Sequence, residues 1–128
     1  KATVVTDTGV ISDDILRRID DTTLLVLEAN YDPHMLRFGP YQPFLKQRVA
    51  SDEGHLSNEM AAQALLMMKR PNFMQVILAH RSENNNNAVL VTQTIGKMLV
   101  DGGVRIGPEM KLQHGQPNEI VSIQSVER

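Results

Sequence analysis

The chain has 128 residues, 41% hydrophobic and 22% charged, the composition of one modest globular domain or half of a larger one. A formal charge of −2 and an aromatic content of 4% exclude a global basic field for nucleic acid and argue against a platform for stacking bases. The absence of cysteine removes disulfides and thiolate metal sites and fits a reducing, cytoplasmic location, while the apolar runs are too short to span a bilayer and the first residues show no signal-peptide pattern.

In chain order, Ala2–Thr6 is a short β-branched run ending at Asp7-Thr8-Gly9, read as a strand entering a turn. Ser12 is a good N-cap, with Asp13 and Asp14 in the first turn and Ile15, Leu16 and Ile19 on one face, so a short helix runs to about Ile19. Thr23–Leu27 has strand length, with Glu28 at its end; Asn30 to Gln42 reads as a loop punctuated by Pro33, Gly39 and Pro40. Pro43–Val49 reads as a helical stretch, followed by a polar loop over Ser51–Ser57. Ser57 caps a helix over Asn58–Lys69 that Pro71 stops. Phe73–Ala79 is the clearest strand and runs into His80; Asn87–Val100 is a second amphipathic helix, stopped by Gly102-Gly103. Val104–Ile106, Lys111–Gln113 and Ile120–Val126 read as closing strands, arranged as an edge hairpin.

This alternation is an α/β layered pattern. Three apolar runs end in Asp7, Glu28 and His80, and ligands of α/β sheets gather beyond strand C-termini, so the three residues are expected to converge. Each also has a structural reading. Asp7 before Thr8-Gly9 fits an Asx-turn as readily as a metal-bridging carboxylate. His80 fits a histidine satisfied by backbone as well as a metal ligand. His55 and Ser57 stand before a helix whose N-terminal N–H groups suit a phosphate, although Ser57 serves equally as a plain cap. Glu28, ending a buried strand, needs a partner, and His55 would serve; such a pair makes a proton relay. His34 and His114 read as structural or exposed, and the methionines Met60, Met67, Met68 and Met74 as core filling.

Four co-ordered motifs carry a resemblance that covers nearly the whole chain: Thr6-Asp7-Thr8-Gly9, Leu27-Glu28-Ala29-Asn30-Tyr31-Asp32, Ser51-Asp52-Glu53-Gly54-His55-Leu56-Ser57-Asn58-Glu59 and Leu78-Ala79-His80-Arg81-Ser82-Glu83-Asn84-Asn85. Their order and spacing resemble bacterial metallo-β-lactamase-fold exonucleases, with ribonuclease Z as a more distant relative. The resemblance implies a metal-dependent phosphodiesterase acting on DNA or RNA as an exonuclease, through water activated by two divalent ions, zinc or manganese. It implies that Asp7 bridges the metals and His80 ligates one, that Glu28 and His55 form the dyad protonating the leaving oxygen, and that Ser57, Asn58 and Ser82 lie near the substrate phosphate. Two positions depart from the family: Tyr31 stands where a histidine is common, and Arg81 where an apolar residue is usual.

The His-x-His-x-Asp-His motif that supplies most of the family's metal ligands does not occur in residues 1–128. The resemblance therefore implies the C-terminal half of an αββα sandwich: one mixed sheet with helices on one face, partnered in the intact protein by an N-terminal half that carries the motif. Alone, such a half is expected to bind metal weakly or not at all, to be inactive, and to associate into a homo-oligomer through its uncovered sheet. A competing reading is a non-catalytic protein-interaction module on a degenerate hydrolase scaffold. A thioesterase or lactonase of the same fold fits the Gly-His-Leu-Ser-Asn run less well.

Overall fold

The computed structural model describes residues 1–79, 81–82 and 84–115. Within them the order is β1 (Ala2–Val5), α1 (Asp13–Ile19), β2 (Leu24–Glu28), α2 (Pro33–Phe38), α3 (Pro43–Val49), α4 (Asn58–Met67), β3 (Met74–Ala79), α5 (Ala88–Asp101) and β4 (Met110–His114). The helix starts follow local chemistry: Ser12, Ser57 and Asn87 accept from the backbone N–H of Ile15, Met60 and Leu90, satisfying donors that the first turn cannot.

The four strands form one sheet in the order β1-β2-β3-β4, and every pairing is parallel. Among the described residues the sheet is therefore wholly parallel, where a mixed sheet was expected. The segment 111–113 belongs to β4, which returns beside β3 after α5, and a helical crossover of this kind joins parallel neighbours. Residues 104–106 make only an isolated bridge, Ile106 to Met110; the expected strand Ile120–Val126 lies outside the described residues. A second correction concerns 30–42, expected as loop: Asp32 caps α2 through Met35 N–H, with Pro33 in the first turn. Proline there loses no helical bond and its fixed φ favours the helix.

Strand periodicity decides which residues reach the core. The register sets Val5 beside Leu27, Leu27 beside Leu78, Leu25 beside Val76 and Met74 beside Met110. These residues share one buried cluster with Ile19 of α1, Ala61 and Leu65 of α4, and Val91, Ile95 and Leu99 of α5. The alternate positions face the other way. Among them Val4 is 61% exposed, but Leu24 and Ile77 are each only 4% exposed, so this face is only in part the exposed apolar surface expected from the sequence. No helix among the described residues is long and apolar enough to cross a membrane.

Because all four strands run the same way, their C-terminal ends lie along one edge. β1 leads into Asp7 there, β2 ends in Glu28, β3 in Ala79 directly beside Glu28, and β4 in His114.

Candidate active site

Glu28 is the last residue of β2, an interior strand, and its side chain is fully buried. A buried carboxylate is stable only with donors around it, and the structure supplies them. The backbone N–H of Asp7 donates to Oε1 at 2.5 Å, and His55 Nδ1 lies 2.5 Å from Oε2. Asp7 presents its N–H this way by adopting φ 58°, a left-handed conformation that aspartate tolerates better than most residues.

The loops around these side chains are drawn together by close backbone approaches. Gly9 N–H donates to Asp52 O, and a Cβ on Gly9 would sit 1.6 Å from Ser51 O, so only glycine permits the contact. His55 is delivered by a turn in which its N–H donates to Val49 O. The next residues run beside the exit of β2: Asn30 N–H donates to Leu56 O, Asn58 N–H to Tyr31 O, and Tyr31 and Ser57 form an isolated parallel bridge. His55 is thereby fixed against Glu28, with Nδ1 3.8 Å from Asp7 Oδ1. Asp7, Glu28 and His55 each offer a ligand atom within 4.8 Å of the others, a geometry suited to a metal ion.

The sequence-predicted residues thus separate into groups. Asp7, Glu28 and His55 are brought together. His80 lies outside the described residues. Of the three expected near a phosphate, Ser82 lines a cleft of about 370 Å³ that also borders His55, Asn30, Tyr41 and Arg81. Ser57 is 4% exposed and its hydroxyl accepts from Met60 N–H. Asn58 is fully buried and exchanges amide hydrogen bonds with Asn86, at 2.9 and 2.8 Å.

Asn86 is the residue that sequence reasoning missed. Its amide also donates to Ala29 O and accepts from Asn87 N–H, so one side chain ties the exit of β2 to the starts of α4 and α5. The run Asn84–Asn87 looks like low complexity; the available signal was that it ends in an N-cap directly before a periodic apolar helix. The same loop is held to β2 by Ser82 N–H donating to Asn30 O. Tyr31 is 5% exposed, and burial first, then the Glu59 carboxylate, raise its phenol pKa, so it stays neutral at physiological pH. His114, where β4 ends, sits 2.8 Å from Thr92 Oγ1; partial burial and then the Arg81 charge lower its pKa.

These features define an α/β protein with a carboxylate–imidazole site at the C-terminal edge of a parallel sheet. The chain is related in sequence to bacterial exodeoxyribonucleases. It is 33% identical over 126 residues to exodeoxyribonuclease YycJ of Bacillus anthracis, covering 98% of this chain and 48% of that protein. It is 34% identical over 115 residues to exodeoxyribonuclease WalJ of Streptococcus pneumoniae, in strains D39 and R6, covering 90% of this chain and 43% of each relative. The chain therefore spans about half the length of these relatives. No protein-family model and no solved structure matches it.

Proposed function

We propose that this chain carries part of the active site of a metal-dependent phosphodiesterase that degrades DNA as an exonuclease. The observation that supports this most is the fully buried Glu28 carboxylate bonded to His55 beside Asp7, in a chain whose relatives are exodeoxyribonucleases. A structural carboxylate at this depth would be a poor choice for stability, since an apolar residue would fill the space without desolvating a charge.

Glu28 holds the Nδ1 side of His55. That contact orients the ring and leaves Nε2 as the atom to deliver a proton to the leaving oxygen. Asp7 and His80 are the proposed metal ligands, and the gathering of Asp7, Glu28 and His55 ligand atoms within 4.8 Å fits a divalent cation at this edge. Divalent ions bound there would supply activation of the attacking water and neutralise charge on the phosphate. Ser82 and Arg81 border the cleft next to His55 and would orient the phosphate. Asn58 and Ser57 act one step back, fixing the segment that presents His55. With one carboxylate and one imidazole as its main ligands, the chain on its own is expected to bind metal weakly and to be nearly inactive. The remaining ligands would come from an N-terminal half bearing the His-x-His-x-Asp-His motif.

The test is a nuclease assay with Mn²⁺ or Zn²⁺ on labelled DNA, using the intact protein and its Asp7→Ala, His80→Ala and His55→Ala variants. Loss of hydrolysis in all three is expected. Unchanged activity in the Asp7 or His80 variant removes the metal assignment, and unchanged activity with His55→Ala removes the proton-relay role.

A further inference from the structure

Aromatic residues are scarce in this chain, two tyrosines and three phenylalanines, yet Phe38, Tyr41 and Phe44 fall within the α2–α3 segment. The same segment, residues 33–51, contains Arg37, Lys46 and Arg48 and not one Asp or Glu, in a chain that is acidic overall. The structure turns both phenylalanines outward. Phe38 is 68% exposed and Phe44 63% exposed, and α3 has no buried residue at all. A seven-residue helix with no buried face gains little from the core, and short helices are marginal by themselves, so an outside contact accounts for its composition better than core packing does.

The segment is arranged rather than loose. Lys46 Nζ donates to Arg37 O at 2.7 Å, linking the two short helices. The Arg37 guanidinium lies 5.4 Å from the centre of the Phe38 ring, and the His34 ring packs against it at 4.7 Å. Tyr41 and Val49, from the same segment, form one side of the cleft that borders His55 and Ser82. Exposed rings interleaved with cations in a stretch without carboxylates, continuous with the proposed active site, make a surface complementary to a chain of phosphates and unstacked bases. Away from its ends a duplex offers no unstacked faces to such rings, and a cationic, carboxylate-free stretch is a poor match for a neutral apolar partner.

We infer that the α2–α3 segment is a single-strand DNA track, in which Phe38 and Phe44 stack on unpaired bases and Arg37, Lys46 and Arg48 bind the backbone leading into the cleft at His55. The identity of the ligand as DNA rests on the proposed nuclease function. The low aromatic content, which argued against a stacking platform, is offset by its concentration at one place.

The test is fluorescence anisotropy with a labelled oligothymidylate of about a dozen nucleotides and a hairpin duplex of matched length, in EDTA so that hydrolysis does not enter. Phe38→Ala and Phe44→Ala should each weaken oligothymidylate binding by about fivefold or more, and Phe44→Tyr should restore it. Arg37→Gln and Lys46→Gln should each lower the slope of log affinity against log salt by about 0.7. Circular dichroism checks that these surface variants remain folded. The inference is overturned if the unaltered chain does not bind the oligothymidylate, if it prefers the duplex, or if the alanine variants bind as before. Binding that depends on Phe38 and Phe44 without Asp7- and His55-dependent hydrolysis would sink the nuclease reading alone; the reverse pattern would sink this one alone.

Discussion

Replacing Glu28 by glutamine keeps the shape of the side chain and removes what its position demands, two acceptor oxygens. In the native site Oε1 accepts from Asp7 N–H and Oε2 meets His55 Nδ1. The amide cannot accept from both: with its oxygen kept on Asp7 N–H, its NH₂ faces His55 Nδ1, which must then switch tautomer and accept. At a fully buried position, exchanging bonds to a charged acceptor for bonds to a neutral amide costs about 1–3 kcal/mol. With a urea m-value of about 1–3 kcal/mol per molar, the unfolding midpoint should fall by roughly 1 M. In the intact protein the same change should reduce hydrolysis about 10²–10⁴-fold, the usual worth of positioned acid–base catalysis. Urea unfolding followed by circular dichroism measures the first, and DNA turnover the second. A midpoint that stays or rises, with turnover intact, would show that neither Asp7 nor His55 depends on this carboxylate, and the description of the site would be wrong at its centre.

Further expectations follow from neighbouring contacts. Asn86→Ala removes both partners of the Asn58 amide and the acceptor of Asn87 N–H; it should destabilise by about 1–3 kcal/mol, and a double-mutant cycle with Asn58→Ala should show coupling of about 0.5–3 kcal/mol, additive losses counting against the pair. Gly9→Ala places a Cβ 1.6 Å from Ser51 O, so the loop must shift; a cost of about 1–3 kcal/mol is expected in thermal or urea unfolding, and a neutral result would mean that the loops do not touch as described. His114 has its pKa held below the ordinary imidazole value by burial and then by Arg81. The unfolded chain therefore takes up this proton first, and the contribution is intact above about pH 6.5 and lost as pH falls below it. His114→Gln should flatten that part of the stability–pH curve, while an unchanged curve would assign the slope to other groups.

Much of the fold was legible because its signals are local. A cap is a contact between a side chain and a backbone N–H three residues on, so Ser12 and Ser57 could be placed from their position before apolar periodic runs. β2 and β3 were legible as apolar runs with a polar residue at the end. α2 was missed because Pro33 and Gly39 are punctuation in a loop and also the ordinary first turn and cap of a short helix; only the Asp32–Met35 bond distinguishes the two. The neighbour and direction of β4 were not legible, because alternation along a strand is the same for parallel and antiparallel neighbours.

The amino-acid order alone determined where chemistry-bearing residues stand along the chain: a carboxylate after the first strand, another ending the second, an imidazole before a helix. Which atoms meet was decided only in three dimensions. The contact of Glu28 with both Asp7 and His55 joins positions 21 and 27 residues apart, and the Asn58–Asn86 pair spans 28. No local preference encodes such pairs, because they arise from strand order, register and the close passage of two backbones at Gly9, properties of the folded chain as a whole.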